Sequence, residues 1–130
     1  MTNKSKKILT EISSGELLDK ITILEIKLNN IKDKEKLVEI NKEYKSLEDT
    51  RKSNIKITEK LQKLIIELKD INLKLWNIEE EKRMCEKNAD FGKNFIQLSR
   101  NVYLNNDKRA KIKSDINKLL GSNIKEIKSY

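Results

Sequence analysis

Proline and histidine are missing from this sequence, cysteine and tryptophan occur once each, and glycine occurs three times. Each scarcity excludes something. Without proline and with little glycine, few points break a helix, so long helices are predicted. Without histidine, imidazole-based zinc sites, His general bases and Ser-His-Asp triads are ruled out. A lone cysteine, Cys85, closes no intrachain disulfide, which removes the disulfide-dense secreted scaffolds. Without a histidine to activate it, Cys85 reads as a core residue rather than a nucleophile. Gly15, Gly92 and Gly121 form no phosphate-cradling loop. No apolar run approaches the ~18 residues of a membrane span. The Lys-rich start, Met1 to Thr10, lacks the apolar region of a signal peptide. A cytoplasmic protein is expected, and no metal or cofactor.

What remains is 130 residues with a net charge of +8, enough for one domain with one core. The expected organisation is a single helical domain over 1–130, with a basic leader at 1–12 and a tail at 122–130. Of the 29 basic residues only Arg51, Arg83, Arg100 and Arg109 are arginine. Lys, Ile and Asn dominate, as an AT-rich coding bias would produce, so most of the lysines read as a solvated surface. Nucleic acid is the obvious partner for a basic chain. The lack of an aromatic platform beyond Trp76 and scattered tyrosines counts against it.

Hydrophobic spacing places the helices. Ser13 and Glu16 form a capping box, and Leu17, Ile21, Leu24, Leu28 and Ile31 carry a helical stripe over 13–31. Ile23 and Ile26 fall on the opposite side. A helix apolar on two faces is central in a bundle or shared with a second copy. A second helix, 34 to about 52, follows Asp33 as cap, with Leu37, Ile40, Tyr44 and Leu47. A third, about Thr58 to Lys87, carries Leu61, Leu64, Leu68, Ile71, Leu75 and Ile78 at alternating spacings of 3 and 4, the pattern of a coiled-coil seam. Lys82 interrupts that seam and Cys85 resumes it. The short connection predicts an antiparallel hairpin of these two helices. Asp90 is expected to cap a fourth helix, Asn105 to Asp107 to break it, and a fifth to end at Gly121. The fold class is all-α, a helical bundle built on a long antiparallel coiled-coil-like hairpin.

Two features point beyond a scaffold. Glu25 falls on the core side of the first helix, where a carboxylate needs a partner or a raised pKa. Arginine in so lysine-rich a chain marks a demand for the planar, always-charged fork. Arg100 and Tyr103 share one face, with Asp107 a turn further on, and Asn106 and Arg109 flank the expected break. Glu79 and Arg83 are placed for an ion pair at i, i+4. Glu25, Arg83, Arg100, Tyr103, Asn106, Asp107 and Arg109 are therefore the candidate site. They read either as a buried polar network that fixes register or as a pocket for a small anion.

Several segments together resemble a small uncharacterised family of bacterial and viral proteins. They are Ser14 to Leu28, Asn72 to Arg83 around Leu75 and Trp76, and Phe95 to Asn117 with Arg100 to Tyr103 and Asn106 to Ala110. The ending, Gly121 and Ser122 with Glu126 to Tyr130, resembles it as well. The resemblance covers nearly the whole chain and matches least between the second and third helices. It says nothing about catalysis, and it implies an accessory role in surface-polysaccharide or glycosyl-transfer pathways. It also makes the tail a candidate for docking back on the body. The functional expectation is a non-enzymatic accessory or interaction module with a protein partner, or self-associating through Ile23 and Ile26. The alternative is a protein or enzyme that binds a nucleotide sugar or phosphate through the Arg, Glu, Tyr and Asp cluster.

Overall fold

The helices begin where side chains satisfy their open amides. Ser13 Oγ accepts from the Glu16 amide at 3.2 Å, Asp33 Oδ1 from those of Glu35 and Lys36, and Thr58 Oγ1 from that of Leu61. The computed structural model describes residues 6–129. Among them the regular elements are α1 (Ser14–Asn30), α2 (Lys34–Asn54), α3 (Glu59–Lys87) and α4 (Lys93–Leu120), packed as a bundle. Gly121 ends α4 in the left-handed region, at φ +63°, while the Ser122 amide bonds the Asn117 carbonyl at 2.9 Å.

The bundle departs from the expected connectivity in two places. The break at Asn105 to Asp107 does not form, and the expected fourth and fifth helices are one helix of 28 residues. Its polar side chains turn inward on the helix itself: Asn105 Nδ2 donates to the Asn101 carbonyl at 2.8 Å, and Asn106 Oδ1 accepts from Arg109. Leu98 and Ile116 are buried on either side of this stretch, so packing holds it helical against its low intrinsic propensity. Asp90 accordingly lies in the turn before α4, accepting from the Gly92 amide, and Gly92 is the N-cap.

The second departure is the hairpin. The expected pair of second and third helices does not form: α2 packs on α1, and the antiparallel partner of α3 is α4. The heart of the core is Leu18, Leu61, Leu68 and Ile116, from α1, α3 and α4. None of the residues of α2 is buried. Lys82, the interruption in the α3 seam, lays its ammonium 5.7 Å from the centre of the Phe95 ring, so a cation there is accommodated by an aromatic face.

Helix α1 is the central one, contacting each of the others. That is the consequence of its two apolar faces. Ile26 is 3 % exposed and so is spent inside the chain, which removes it as half of a contact between copies. On its third side α1 lies very close to α4. A Cβ on Gly15 would meet the Lys113 carbonyl oxygen at 2.6 Å and Asn117 Oδ1 at 2.9 Å.

Gly15→Ala gains about 1 kcal/mol of helix propensity. It also forces backbone apart, which costs about 1–3 kcal/mol. The variant is expected to be net less stable by urea denaturation; equal or greater stability would mean that α1 and α4 do not approach this closely.

Candidate functional site

One face of α1 carries Gly15, Asp19, Thr22 and Ile26 at spacings of 4, 3 and 4, and all four are buried. This face is turned toward α3 and α4, and it brings a carboxylate with it. Asp19 is 0 % exposed. An isolated buried carboxylate is very costly, so its partners decide whether the fold stands. Arg109 of α4 supplies a fork, with Nε donating to Oδ1 at 2.9 Å and Nη2 donating to Oδ2. Asn72 of α3 donates through Nδ2 to the same Oδ1 at 2.9 Å, and Lys113 Nζ stands 3.5 Å from Oδ2. The Thr22 hydroxyl donates to the Asp19 carbonyl and accepts from Asn72 Nδ2. Among the described residues no sealed side-chain nitrogen or oxygen lacks a partner.

The network continues outward toward the tail. Lys113 donates to Glu16 Oε2 at 2.6 Å and lies 3.6 Å from Glu126, which itself receives Lys128 at 2.6 Å. Ser122 Oγ accepts the Ser14 amide, Asn123 Nδ2 donates to Glu11, and the Gly15 amide donates to Asn117 Oδ1 at 2.7 Å. The tail from Ser122 to Lys128 thus touches the start of α1 and the outer end of the ion network. Tyr130 lies outside the described residues.

Burial alone pushes the Asp19 carboxyl up. The hydrogen bonds from Arg109 and Asn72 and the charges of Arg109 and Lys113 outweigh it and hold the carboxyl below its ordinary value. The same bond to Asp19 raises Arg109 against the opposing effect of its own burial. Lys128 and then Lys113 hold Glu126 below the usual carboxylate range. Chemically this is a network of matched charges, to which Lys20 adds a further contact with Glu16. The Arg109 fork is occupied by Asp19, and Lys113 faces three carboxylates, Asp19, Glu16 and Glu126.

The seven residues singled out from the sequence are dispersed. Arg109 and Asn106 are joined to each other, and Arg109 is in the network. Glu25 sits at the edge of α1, a third exposed and 3.7 Å from Lys69 of α3, in a cleft that also holds Glu48 and Arg51. Arg83 is exposed at the rim of a groove between α1 and α3, and makes no ion pair with Glu79 among the described residues. Asp107 borders a separate groove between α3 and α4, and Arg100 and Tyr103 are exposed on α4. Sequence reasoning missed Asp19, Asn72, Thr22 and Lys113. The signal for Asp19 was present: it falls in a stripe with Gly15 and Thr22, a face that small and polar residues make suitable for close helix approach. Among the described residues no group of three or more Cys, Asp or Glu side chains is arranged to hold a metal ion.

The depressed Asp19 pKa fixes the sign of a pH effect. The unfolded chain takes up this proton at higher pH than the folded one, so the contribution of Asp19 is complete above about pH 5 and declines as pH falls through the folded value. Arg109→Ala should cost about 3–5 kcal/mol at neutral pH, because it leaves a buried carboxylate without its main partner. With that partner gone burial is opposed only by Asn72 and Lys113, so the variant should lose less stability than the parent as pH falls from 7 to 4. Chemical denaturation of both proteins at both pH values checks this, and a variant that is as stable as the parent at pH 7, or weakens as steeply on acidification, contradicts it.

Comparison with curated proteins and with solved structures gives no significant match. The family profile described as a family of unknown function, DUF6165, matches residues 8–130. That match takes in α1 through α4, the Asp19 network and the tail, and the chain belongs to DUF6165.

Proposed function

We propose that this protein is a non-enzymatic helical interaction module, a scaffold locked by the Asp19 network that presents the far half of the α3–α4 hairpin to a protein partner. One contrast carries the reading. The buried polar groups are satisfied within the chain, whereas large apolar side chains stand in solvent on the hairpin. Met84, Phe91, Ile96 and Tyr103 are each more than half exposed. Helix α1 has 17 residues and α3 has 29. At 1.5 Å per residue the hairpin outreaches α1 by roughly 18 Å. Ile8, Leu9, Val38 and Ile127 are exposed as well, but Met84, Phe91, Ile96 and Tyr103 all belong to one hairpin end. That end is a two-helix segment with no third element to cover its flanks, and a patch of this kind marks an association surface.

Charge agrees. Residues 79–104 carry five acidic and five basic side chains, in a chain whose net charge is +8. The outer hairpin is therefore the neutral part of a basic molecule, suited to a protein surface and poorly suited to a phosphate backbone. Ile96 and Tyr103 are two turns apart on one face of α4, with Arg100 between them and Asp107 a turn beyond. In this reading Arg100, Tyr103 and Asp107 belong to the surface, Arg109 and Asn106 to the scaffold, Arg83 to the rim of a groove, and Glu25 to an ion pair across α1 and α3. We place the protein in the cytoplasm; among the described residues no helix is long and apolar enough to cross a membrane. The glycan-assembly role rests on the family resemblance alone.

A photo-crosslinking p-benzoylphenylalanine in place of Tyr103, in the protein expressed in its native host, should give one discrete protein adduct. The same group at Lys42, on the exposed side of α2, should not, and Ile96→Glu should abolish the adduct from position 103. No adduct from position 103, or identical adducts from both positions, would contradict the reading.

A further inference from the structure

A groove of about 500 Å³ runs between α1 and α3, walled by Ile23, Ile26, Leu75 and Trp76. That volume lies within the range of ligand and anchor pockets, and the lining is largely apolar with one aromatic face. Asn72, 5 % exposed, also lines it. The orientation of its amide is fixed by the neighbouring carboxylate. Asp19 accepts hydrogen bonds, so the NH2 group must point inward, and both its hydrogens are used on Asp19 Oδ1 and Thr22 Oγ1, at 2.9 Å each. Asn72 Oδ1 therefore lies at the other corner of the amide. It accepts no hydrogen bond from any described residue, and since every sealed side-chain oxygen has a partner, it is not sealed. This groove, which Asn72 lines, is the opening we assign to it.

We propose that this groove is an anchor socket for an aromatic side chain tipped by a hydrogen-bond donor, a tyrosine on a protein partner. The proposal rests on the interaction-module reading and gives its partner a chemistry. Three observations select the occupant. Asn72 Oδ1 has no partner within the described chain on a residue that is only 5 % exposed, so a donor seated in the groove would replace the water it meets with a direct hydrogen bond. Trp76 and the aliphatic walls suit a ring, and Tyr is among the side chains that most often anchor interfaces. At the mouth Lys27 and Arg83 stand with Glu79 and Glu80, a balanced set that favours a neutral occupant over a phosphate or a carboxylate. Asn72 couples this socket to the scaffold, since its inward face holds Asp19 and its outward face would hold the partner.

The test uses p-cresol as the probe and its methyl ether as the probe without a donor. Trp76 is the chain's one tryptophan, so its indole N–H gives one unambiguous NMR signal. The expected result is a saturable shift of that signal by p-cresol, about fivefold weaker binding of the methyl ether, the loss of one neutral hydrogen bond, and no saturable shift by p-cresol in Ile23→Glu. That variant charges the groove wall and leaves Asn72 and Asp19 intact. Equal binding of the two probes removes the role of Asn72 Oδ1, and unchanged binding to Ile23→Glu places the event elsewhere. Absence of saturation in the parent protein eliminates the socket. Adenosine binding more tightly than p-cresol at the same signals would replace the tyrosine with a nucleobase. Failure of any of these with the Tyr103 adduct intact sinks the socket alone; loss of the adduct sinks the module.

Discussion

The carboxylate of Asp19 governs this structure. It sits on the one helix that touches all the others and is fully withdrawn from solvent. Taking a carboxylate out of water costs several kcal/mol even after relaxation, and the return comes only with good geometry. That geometry needs α3 for Asn72 and α4 for Arg109 and Lys113 at once. A one-residue slip of α4 would swing Arg109 about 100° away from Asp19 and leave both charges stranded. An apolar interface of leucines would tolerate such a slip far better. The polar cluster thus specifies which arrangement of α1, α3 and α4 is the native one.

Other details follow from the same constraint. Gly15, one turn before Asp19, lets α1 close on α4 so that the short Asp side chain and the long Arg meet. Asn117, two turns after Arg109, accepts the Gly15 amide and fixes the end of the same contact. Lys113 carries the network to the surface, where Glu126 brings the tail against it. Helix α2 stands outside this system, packed on α1 and contributing nothing buried. The proposed function divides along the same line: matched charges hold the scaffold, and the surfaces they leave uncommitted, the far hairpin and the Asn72 groove, are the ones proposed to meet a partner.

The sequence made the helix periods, most caps and the all-α class legible, because those depend on local spacing: Ser13, Asp33, Thr58 and Gly121 each act where their chemistry says. The pairing of helices was less legible. A short loop between α2 and α3 predicts a hairpin, but α2 lacks a second apolar face and stays on α1, while α3 finds its partner across the turn at Asn88 to Gly92. The Asn105 to Asp107 stretch reads as a break because Asn and Asp favour turns in isolation; buried neighbours override that preference. The candidate site was half seen. Arg109 stands out as an arginine among lysines, but the carboxylate that hydrophobic spacing places on the core side is Glu25, which faces Lys69 instead. Asp19 was hidden because its face is small and polar rather than apolar, and only the close approach of α4 makes that face an interior.

A double-mutant cycle measures the central interaction most directly. Asp19→Leu, Arg109→Met and the double variant would be compared with the parent by urea denaturation at pH 7. If Asp19 and Arg109 form one buried unit, each single change strands a charge or an empty site, and the double variant is more stable than the sum of the single losses requires, with a coupling of at least about 2 kcal/mol. Losses that simply add would show that the two residues act independently, and the account of a charge-locked bundle would be wrong.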